Sequence, residues 1–438
     1  MLNTKNIRRI AYEILYKIEF SEGYSDELIN KYADIENIRD FNLLRKLVLG
    51  VLERKYSIDY VISKNSKTKL TKIDKKILIV LRIAIYQMLF LDSIPDHASI
   101  NEAVKHSKKL IKWNVSGYVN GLLRNIARQK ESIIASLSEI ESEELKYNLP
   151  KEIINYLNES YPEDASDILN SFYDELPLTI RVNKSSIDLD DVYDEFYKLG
   201  MKPEKSIVSG SNIRLYNPLS VQDHKYYKDG LISIQGEGST LAVEILDPIK
   251  GSSVLDLCAA PGTKSIQIAE KVGPDGKLFV NDVNQDKNKK IIQNFKRIGF
   301  NNYSLKNLDA ANYYPAFKEL FDYILIDAPC SALGLITRKP EIRYRRSMDL
   351  IQGLSNLQKR ILENAALYLK PNGILVYSTC TYGNFENDDQ VEFIVNELGL
   401  EKSEFLYKGN KISKIQLFNN IDNTDGFFIA KFKKIEKE

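Results

Sequence analysis

The sequence predicts a multidomain chain: an all-α domain, a small α+β module, then an α/β domain with a mostly parallel sheet. Three observations predict it. At 438 residues the chain exceeds one ordinary core. Through its first third, apolar residues recur at helical spacing, and Pro95 is the one proline before Pro150. From Val254 onward, short apolar runs alternate regularly with helical stretches. The implied boundaries are 1–135, 136–235 and 236–438.

The helical segments are Ile7–Phe20, Leu43–Leu52, Ile73–Leu91 and Val115–Ile126. Asp74 is a plausible N-cap, and the run Ile77–Leu91, apolar nearly all round, belongs at the centre of its domain. Glu131–Asn148 is polar and reads as a connector. Leu149–Asp174 is helical again. The β-rich Leu178–Val182, the amphipathic Leu189–Leu199 and the short runs Ile213–Leu215 and Leu231–Ser233 make the α+β module. In the last domain, strands are expected at Val254–Leu257, Lys277–Val280, Tyr303–Lys306, Tyr323–Ile326, Ile374–Tyr377 and Phe427–Phe432. Helices are expected at Ser265–Lys271, Asn284–Ile298, Leu354–Leu369 and Asn387–Leu398. Such sheets are covered on both faces, and ligands sit at the carboxyl ends of their strands.

Composition narrows the class. No apolar run is long enough to span a membrane, and the basic Met1–Ile10 has no apolar stretch after it, so no signal peptide is expected. Three cysteines do not make a disulfide framework, which points to a reducing cytoplasm. The net charge of +1 conceals an asymmetry: residues 1–135 carry 24 Lys+Arg against 15 Asp+Glu, and the remainder is net acidic. Six lysines fall within Lys64–Lys76 (64, 67, 69, 72, 75 and 76). A basic first domain implies a polyanionic partner, nucleic acid above all; a solvated lysine-rich surface is the plainer alternative.

The candidate site gathers at strand ends. The first βα turn, Asp256-Leu-Cys-Ala-Ala-Pro-Gly-Thr-Lys264, has one glycine where a dinucleotide fingerprint needs three, and Thr263 separates Gly262 from Lys264, which excludes a phosphate loop. A nucleoside-like ligand without a phosphate grip is expected. Asp282 ends the second strand, where a carboxylate can accept both ribose hydroxyls; otherwise it is a helix N-cap. Turn and carboxylate together favour S-adenosylmethionine over NAD.

Two further strands run into cysteine: Tyr323-Ile-Leu-Ile-Asp-Ala-Pro-Cys330 and Ile374-Leu-Val-Tyr-Ser-Thr-Cys380. A lone cysteine such as Cys258 is usually a small buried apolar residue. Metal is not expected, because His97, His106 and His224 all lie upstream and no C-x-x-C occurs. Beside a methyl donor, a thiolate has a particular use. Adding to carbon 6 of cytosine, it makes an enamine whose carbon 5 can take a methyl group. Nearby positive charge would favour the thiolate, and Lys264 is a candidate for it. Asp327 is placed to act as an acid near nitrogen 3. This chemistry does not rank Cys330 against Cys380.

These residues resemble the Sun/NSUN family of RNA cytosine-5 methyltransferases. Asp256–Lys264 is similar to its first motif, Asp327-Ala-Pro-Cys-Ser331 to its fourth, and Ser378-Thr-Cys-Thr381 with Glu386-Asn387 to its sixth. Asp425-Gly-Phe-Phe428 resembles its closing strand, and Pro177–Asn183 its leading module. The resemblance implies a Rossmann-like catalytic domain with Cys380 as nucleophile and Cys330 assisting product release. It implies a cofactor site of Cys258, Ala259, Ala260, Pro261, Gly262, Thr263, Lys264, Asp282, Asp309 and Asp327 for S-adenosyl-L-methionine.

The first domain resembles NusB through Arg8–Leu15, Ser99–Val104 and Tyr118–Asn125. That pairing of domains implies 16S rRNA as partner, with no DNA, membrane or metal. Two departures stand: Gly236, where the family often has Asp, and Thr381-Tyr-Gly-Asn384 in place of a proline-bearing segment. The basic residues Arg338, Lys339, Arg343, Arg345 and Arg346 after the Cys330 loop read equally as an extension of an RNA-facing surface or as a solvated loop. The alternatives are methylation of tRNA or another rRNA site, an RNA adaptor with an inert catalytic domain, and an NAD-dependent oxidoreductase.

Overall fold

The computed structural model describes residues 6–21, 23–32, 38–111, 115–218 and 220–436; Lys5 of the basic amino-terminal run lies outside them. The chain forms two compact units. One comprises residues 1–156 with 338–347, and the other 157–337 with 348–438.

The first unit is helical and packs around helix Lys75–Phe90. Asp74 starts that helix by accepting from the backbone N–H of Lys76 and Ile77, at 2.8 and 3.4 Å. Its residues from Ile79 to Leu89 are all buried, as an apolar circumference requires. Arg82 lies among them without an isolated charge. It pairs with Asp59 through two bonds of 2.7 Å and with Glu19 at 3.3 Å. Gly50 admits the ring of Tyr86, which a Cβ at that position would approach to 1.9 Å.

A strap from far along the sequence completes this unit. The 3₁₀ turn Pro340–Tyr344 carries Glu341, which accepts from Ser25 N and Oγ at 2.7 and 2.9 Å. Arg343 is wholly buried and donates to the carbonyl of Tyr147 at 2.8 Å. Tyr344 donates its hydroxyl to Leu52 O at 2.6 Å. Arg345 donates to Ile18 O and Gly23 O at 2.6 and 2.9 Å, and Lys339 pairs with Asp26 at 3.2 Å. The RNA-facing reading is therefore corrected for Arg343 and Arg345. Their guanidinium groups serve backbone carbonyls of the helical unit.

The second unit begins with a four-stranded antiparallel sheet in the order β2-β3-β1-β4, made of β1 (Leu178–Val182), β2 (Pro203–Lys205), β3 (Asn212–Leu215) and β4 (Ile232–Ile234). Helix Leu189–Lys198 covers it with Val192 and Phe196. This is the expected small α+β module. Arg214 fixes it to the larger sheet through a bidentate pair with buried Glu237, at 2.8 and 3.0 Å. Glu237 opens helix Glu237–Leu246, which the sequence reading did not include.

The larger sheet contains β5 (Ser253–Asp256), β6 (Lys277–Asn281), β7 (Tyr303–Lys306), β8 (Phe321–Asp327), β9 (Leu369–Thr379), β10 (Leu400–Lys402), β13 (Lys414–Leu417) and β14 (Phe427–Lys434). A separate hairpin is formed by β11 (Phe405–Tyr407) and β12 (Asn410–Ile412). The order is β10-β14-β9-β8-β5-β6-β7, with β13 also on β14. Strands β5 to β9 run parallel; β10, β13 and β14 run antiparallel to their neighbours. Apolar clusters lie on both faces, as a parallel sheet demands. The helices expected in this domain are present with ends shifted by one or two residues, except that the one expected at Leu354–Leu369 begins six residues earlier, at Met348. Asn284 caps Gln285–Ile298, and Gly299, at φ 70°, ends it.

Candidate active site

Three parallel strand ends form the floor of the site. Strand β8 pairs with β9 so that Asp327 lies opposite Ser378, and Ser378 Oγ donates to Asp327 Oδ1 at 3.0 Å. The chains leaving these two strands therefore start level, and each carries a cysteine within three residues. Cys330 Sγ and Cys380 Sγ lie 3.3 Å apart. Both residues are partly exposed, with no disulfide between them. The Cys380 carbonyl accepts from Gly334 N at 3.1 Å, which ties the second loop to the first. The Cys330 thiol is pushed well up by its hydrogen bond to Cys380, then by burial, then by the Glu386 carboxylate. It stays protonated at neutral pH.

Helix Thr263–Val272 brings Lys264 to this floor. Its ammonium donates to Asp327 Oδ2 at 2.7 Å and lies 5.4 Å from the centre of the Phe427 ring. The positive charge expected to favour a thiolate is thus held directly by Asp327. That pair also orients the Asp327 carboxylate, whose other oxygen is taken by Ser378.

The first turn lies beside it. Gly262, at φ 94°, occupies the left-handed region just before the helix, where a side chain would be strained. An added Cβ would meet Ile291 at 3.2 Å. Asp282 accepts from Ala260 N with one oxygen and from Asn284 N with the other, both at 2.9 Å. Each oxygen keeps a lone pair for a hydroxyl donor. Asn284, not Asp282, is the N-cap. Val283 follows at 67% exposed, an apolar surface beside that carboxylate. Asp309 is exposed and accepts from Ala311 N at 3.0 Å. A carboxylate with free lone pairs, an adjacent apolar face and a close-packed turn fit a ribose and a purine. Cys258 is held as a neutral thiol by burial and by the surrounding carboxylates.

Sequence reasoning missed three polar residues here. Buried Asn281 donates to Leu257 O and Leu308 O at 3.0 Å each and accepts from Leu308 N at 2.9 Å, so one amide aligns the ends of three strands. Its signal was a polar residue closing an apolar strand. Buried Asp256 accepts from Ser265 Oγ at 2.6 Å, and burial pushes its carboxyl up to about 7. Glu386, noted only as a motif residue, is buried between the two cysteine loops. Among the described residues, no three His, Cys, Asp or Glu groups are placed to hold a metal, and no helix is long and apolar enough to cross a membrane.

A parallel sheet with an antiparallel strand inserted beside β9, and a nucleoside-shaped site at its carboxyl edge, defines an S-adenosylmethionine-dependent methyltransferase. The family described as 16S rRNA methyltransferase RsmB/F matches residues 243–433. The NusB family matches 5–128, and the ferredoxin-like domain of RsmF/B-like methyltransferases matches 149–222. A Bacillus subtilis protein named probable ribosomal RNA small subunit methyltransferase B is 32% identical, over 98% of this chain and 99% of its own. A Photorhabdus laumondii protein named ribosomal RNA small subunit methyltransferase B is 29% identical, over 99% and 100%. The crystal structure of PH0851 superposes with a TM-score of 0.79 at 25% identity, covering 99% of both chains. The chain belongs to the RsmB/F family of rRNA methyltransferases. Its cofactor is S-adenosylmethionine, and its reaction class is methylation of ribosomal RNA.

Proposed function

We propose that the protein methylates carbon 5 of a cytosine in 16S rRNA through a covalent bond between Cys380 and the base. The observation that carries this reading is the pair of thiols 3.3 Å apart beside the Lys264–Asp327 pair. One thiol suffices for a nucleophile, and a second at this distance is suited to help the first leave.

When bound, S-adenosylmethionine supplies an electrophilic methyl group. The chain's residues do the rest. Lys264 through Cys258, with Asp282 and Asp309, line the cofactor side. Cys380, as the thiolate, adds to carbon 6, and a proton from the Lys264 ammonium, relayed through the Asp327 carboxylate, serves nitrogen 3 and returns along the same pair at release, so carbon 5 gains electron density. Release then breaks the Cys380 sulfur–carbon 6 bond. The carbon-5 proton passes to solvent, and the carbon 5–carbon 6 double bond re-forms. Cys330, which keeps its proton, donates a hydrogen bond to the departing Cys380 sulfur. In this reading residues 1–135 and 136–235 hold RNA, and residues 236–438 perform the chemistry.

The test is a Cys330→Ala variant incubated with 16S rRNA and methyl donor. It is expected to accumulate a slow-migrating protein–RNA species on denaturing gels, with bisulfite sequencing of the native product showing one protected cytosine. Absence of both would end this reading. Helical RNA hides its base edges, so the target base must lie in a loop or be turned out of its stack.

Lys67, Lys69, Lys72 and Lys76 are exposed at the start of the central helix and the turn before it. As phosphate contacts they set affinity, not sequence choice. Replacing each with alanine is expected to lower the slope of log binding constant against log salt by roughly 0.7–0.9 per lysine, with turnover unchanged at saturating RNA. Titration at several salt concentrations measures it, and an unaltered slope would remove this surface from the RNA path.

A further inference from the structure

The two residues that directly follow the cysteines are joined. Ser331 Oγ and Thr381 Oγ1 lie 2.6 Å apart, both in buried residues. Behind them sits Glu386, fully buried. Ser331 donates its backbone N–H to Glu386 Oε1 at 2.8 Å and its hydroxyl to Oε2. Gln358 Nε2 bridges the other flank of Cys330, reaching Pro329 O at 2.9 Å and Glu386 Oε1 at 3.1 Å. Glu386 is itself anchored to β9, because Tyr377 donates its hydroxyl to the Glu386 carbonyl at 2.7 Å. One carboxylate thus grips the Cys330 loop on both sides of the thiol and is fixed to the strand that carries Cys380.

We propose that Glu386 is a positioning residue that clamps the Cys330 loop against the Cys380 strand end, setting the thiol separation on which release of the methylated base depends. The inference rests on the covalent reading above. Its physical basis is that a buried carboxylate is held where it is only by donors aimed at it. Here two of those donors belong to Ser331, so the peptide bearing the Cys330 carbonyl has no freedom to swing. The same carboxylate helps keep Cys330 protonated, as a hydrogen-bond donor to a leaving thiolate must be. Misplacement of a reacting group by about 1 Å costs rate on the order of a hundredfold.

A residue that only supported the fold would, when replaced, lower adduct formation and turnover together. Loss of positioning instead leaves addition by Cys380 intact and stalls release. The full-length Glu386→Gln variant, which keeps the side-chain volume, is therefore compared with native protein and Cys330→Ala. Adduct is read on denaturing gels with 16S rRNA and methyl donor, and thermal stabilisation by S-adenosylmethionine reports an intact fold. Glu386→Gln is expected to accumulate adduct and to lose roughly tenfold to a hundredfold in kcat, with KM for RNA unchanged.

A second measurement needs no RNA. Diamide oxidises two thiols to a disulfide while being reduced to the hydrazine. The Cys330–Cys380 disulfide is expected to form readily in native protein, and about tenfold more slowly in Glu386→Gln and in Ser331→Ala. Native turnover in Glu386→Gln, or parallel loss of adduct and turnover while Cys330→Ala still traps RNA, would overturn the clamp. If Cys330→Ala traps nothing, the covalent reading fails by itself, and unchanged disulfide rates would then sink the clamp separately.

Discussion

Cys380→Ala is expected to abolish methyl transfer, with incorporation of labelled methyl into 16S rRNA falling by roughly 10⁴-fold or more. Without the thiolate, carbon 5 of cytosine is too weak a nucleophile, and no neighbouring group substitutes. Cys330 loses its hydrogen bond to Cys380 in this variant, but burial and the Glu386 carboxylate still push its thiol up. The loss should be confined to chemistry. Cys380 lies two strands from the turn that fits the cofactor, so S-adenosylmethionine at about a hundred times its Kd should still stabilise the variant by about 2.7 kcal/mol. Full activity in Cys380→Ala would transfer the nucleophile role to Cys330 and reverse the assignment. Loss of both activity and cofactor stabilisation would mean that the variant had damaged the site rather than removed its reagent.

Arg343→Ala is expected to destabilise the helical unit by about 3 kcal/mol, lowering its melting temperature by roughly 10 °C. The side chain is wholly buried, and its loss leaves both a void and an unpaired carbonyl on Tyr147. Glu341→Ala should act in the same sense, because it strips acceptors from Ser25 N and Oγ. Calorimetry of the full chain resolves the effect if the helical transition moves while the one stabilised by S-adenosylmethionine stays. Equal movement of both transitions, or of neither, would contradict the assignment of the strap to the helical unit.

The alternating strands and helices after Val254 were readable because local rules decide them. Asn284 caps and Gly299 stops the helix between them, and short apolar runs alternating with helices read as the buried strands of a parallel sheet. The turn, Asp282, Cys330 and Cys380 were readable because their residue types are unusual at strand ends. The strap was not, and its basic residues resembled a solvated or RNA-facing loop. Charge alone cannot show that Arg345 ends on the carbonyls of Ile18 and Gly23, acceptors more than three hundred residues earlier. Asn281 and Glu386 were missed for the same reason. Their partners are backbone and side-chain groups of other strands, loops and a helix, and only the register of β8 on β9 and of β5, β6 and β7 brings those together. The short strands β10 to β13 carry too little pattern to be read before their pairing on β14 and on each other is known.

The strap also dictates an order of events during synthesis. The helical unit occupies the start of the chain but includes residues 338–347, so it cannot finish folding when residue 156 is made. It must wait for residues 157–337, an interval of roughly 10–40 s at ordinary elongation rates. Throughout that interval Ser25 and the carbonyls of Ile18, Leu52 and Tyr147 lack their final partners. A newborn chain is thus left with an open seam in its first unit. The segment that closes the seam begins eight residues after Cys330, in the same stretch of chain that brings this thiol to the end of β8.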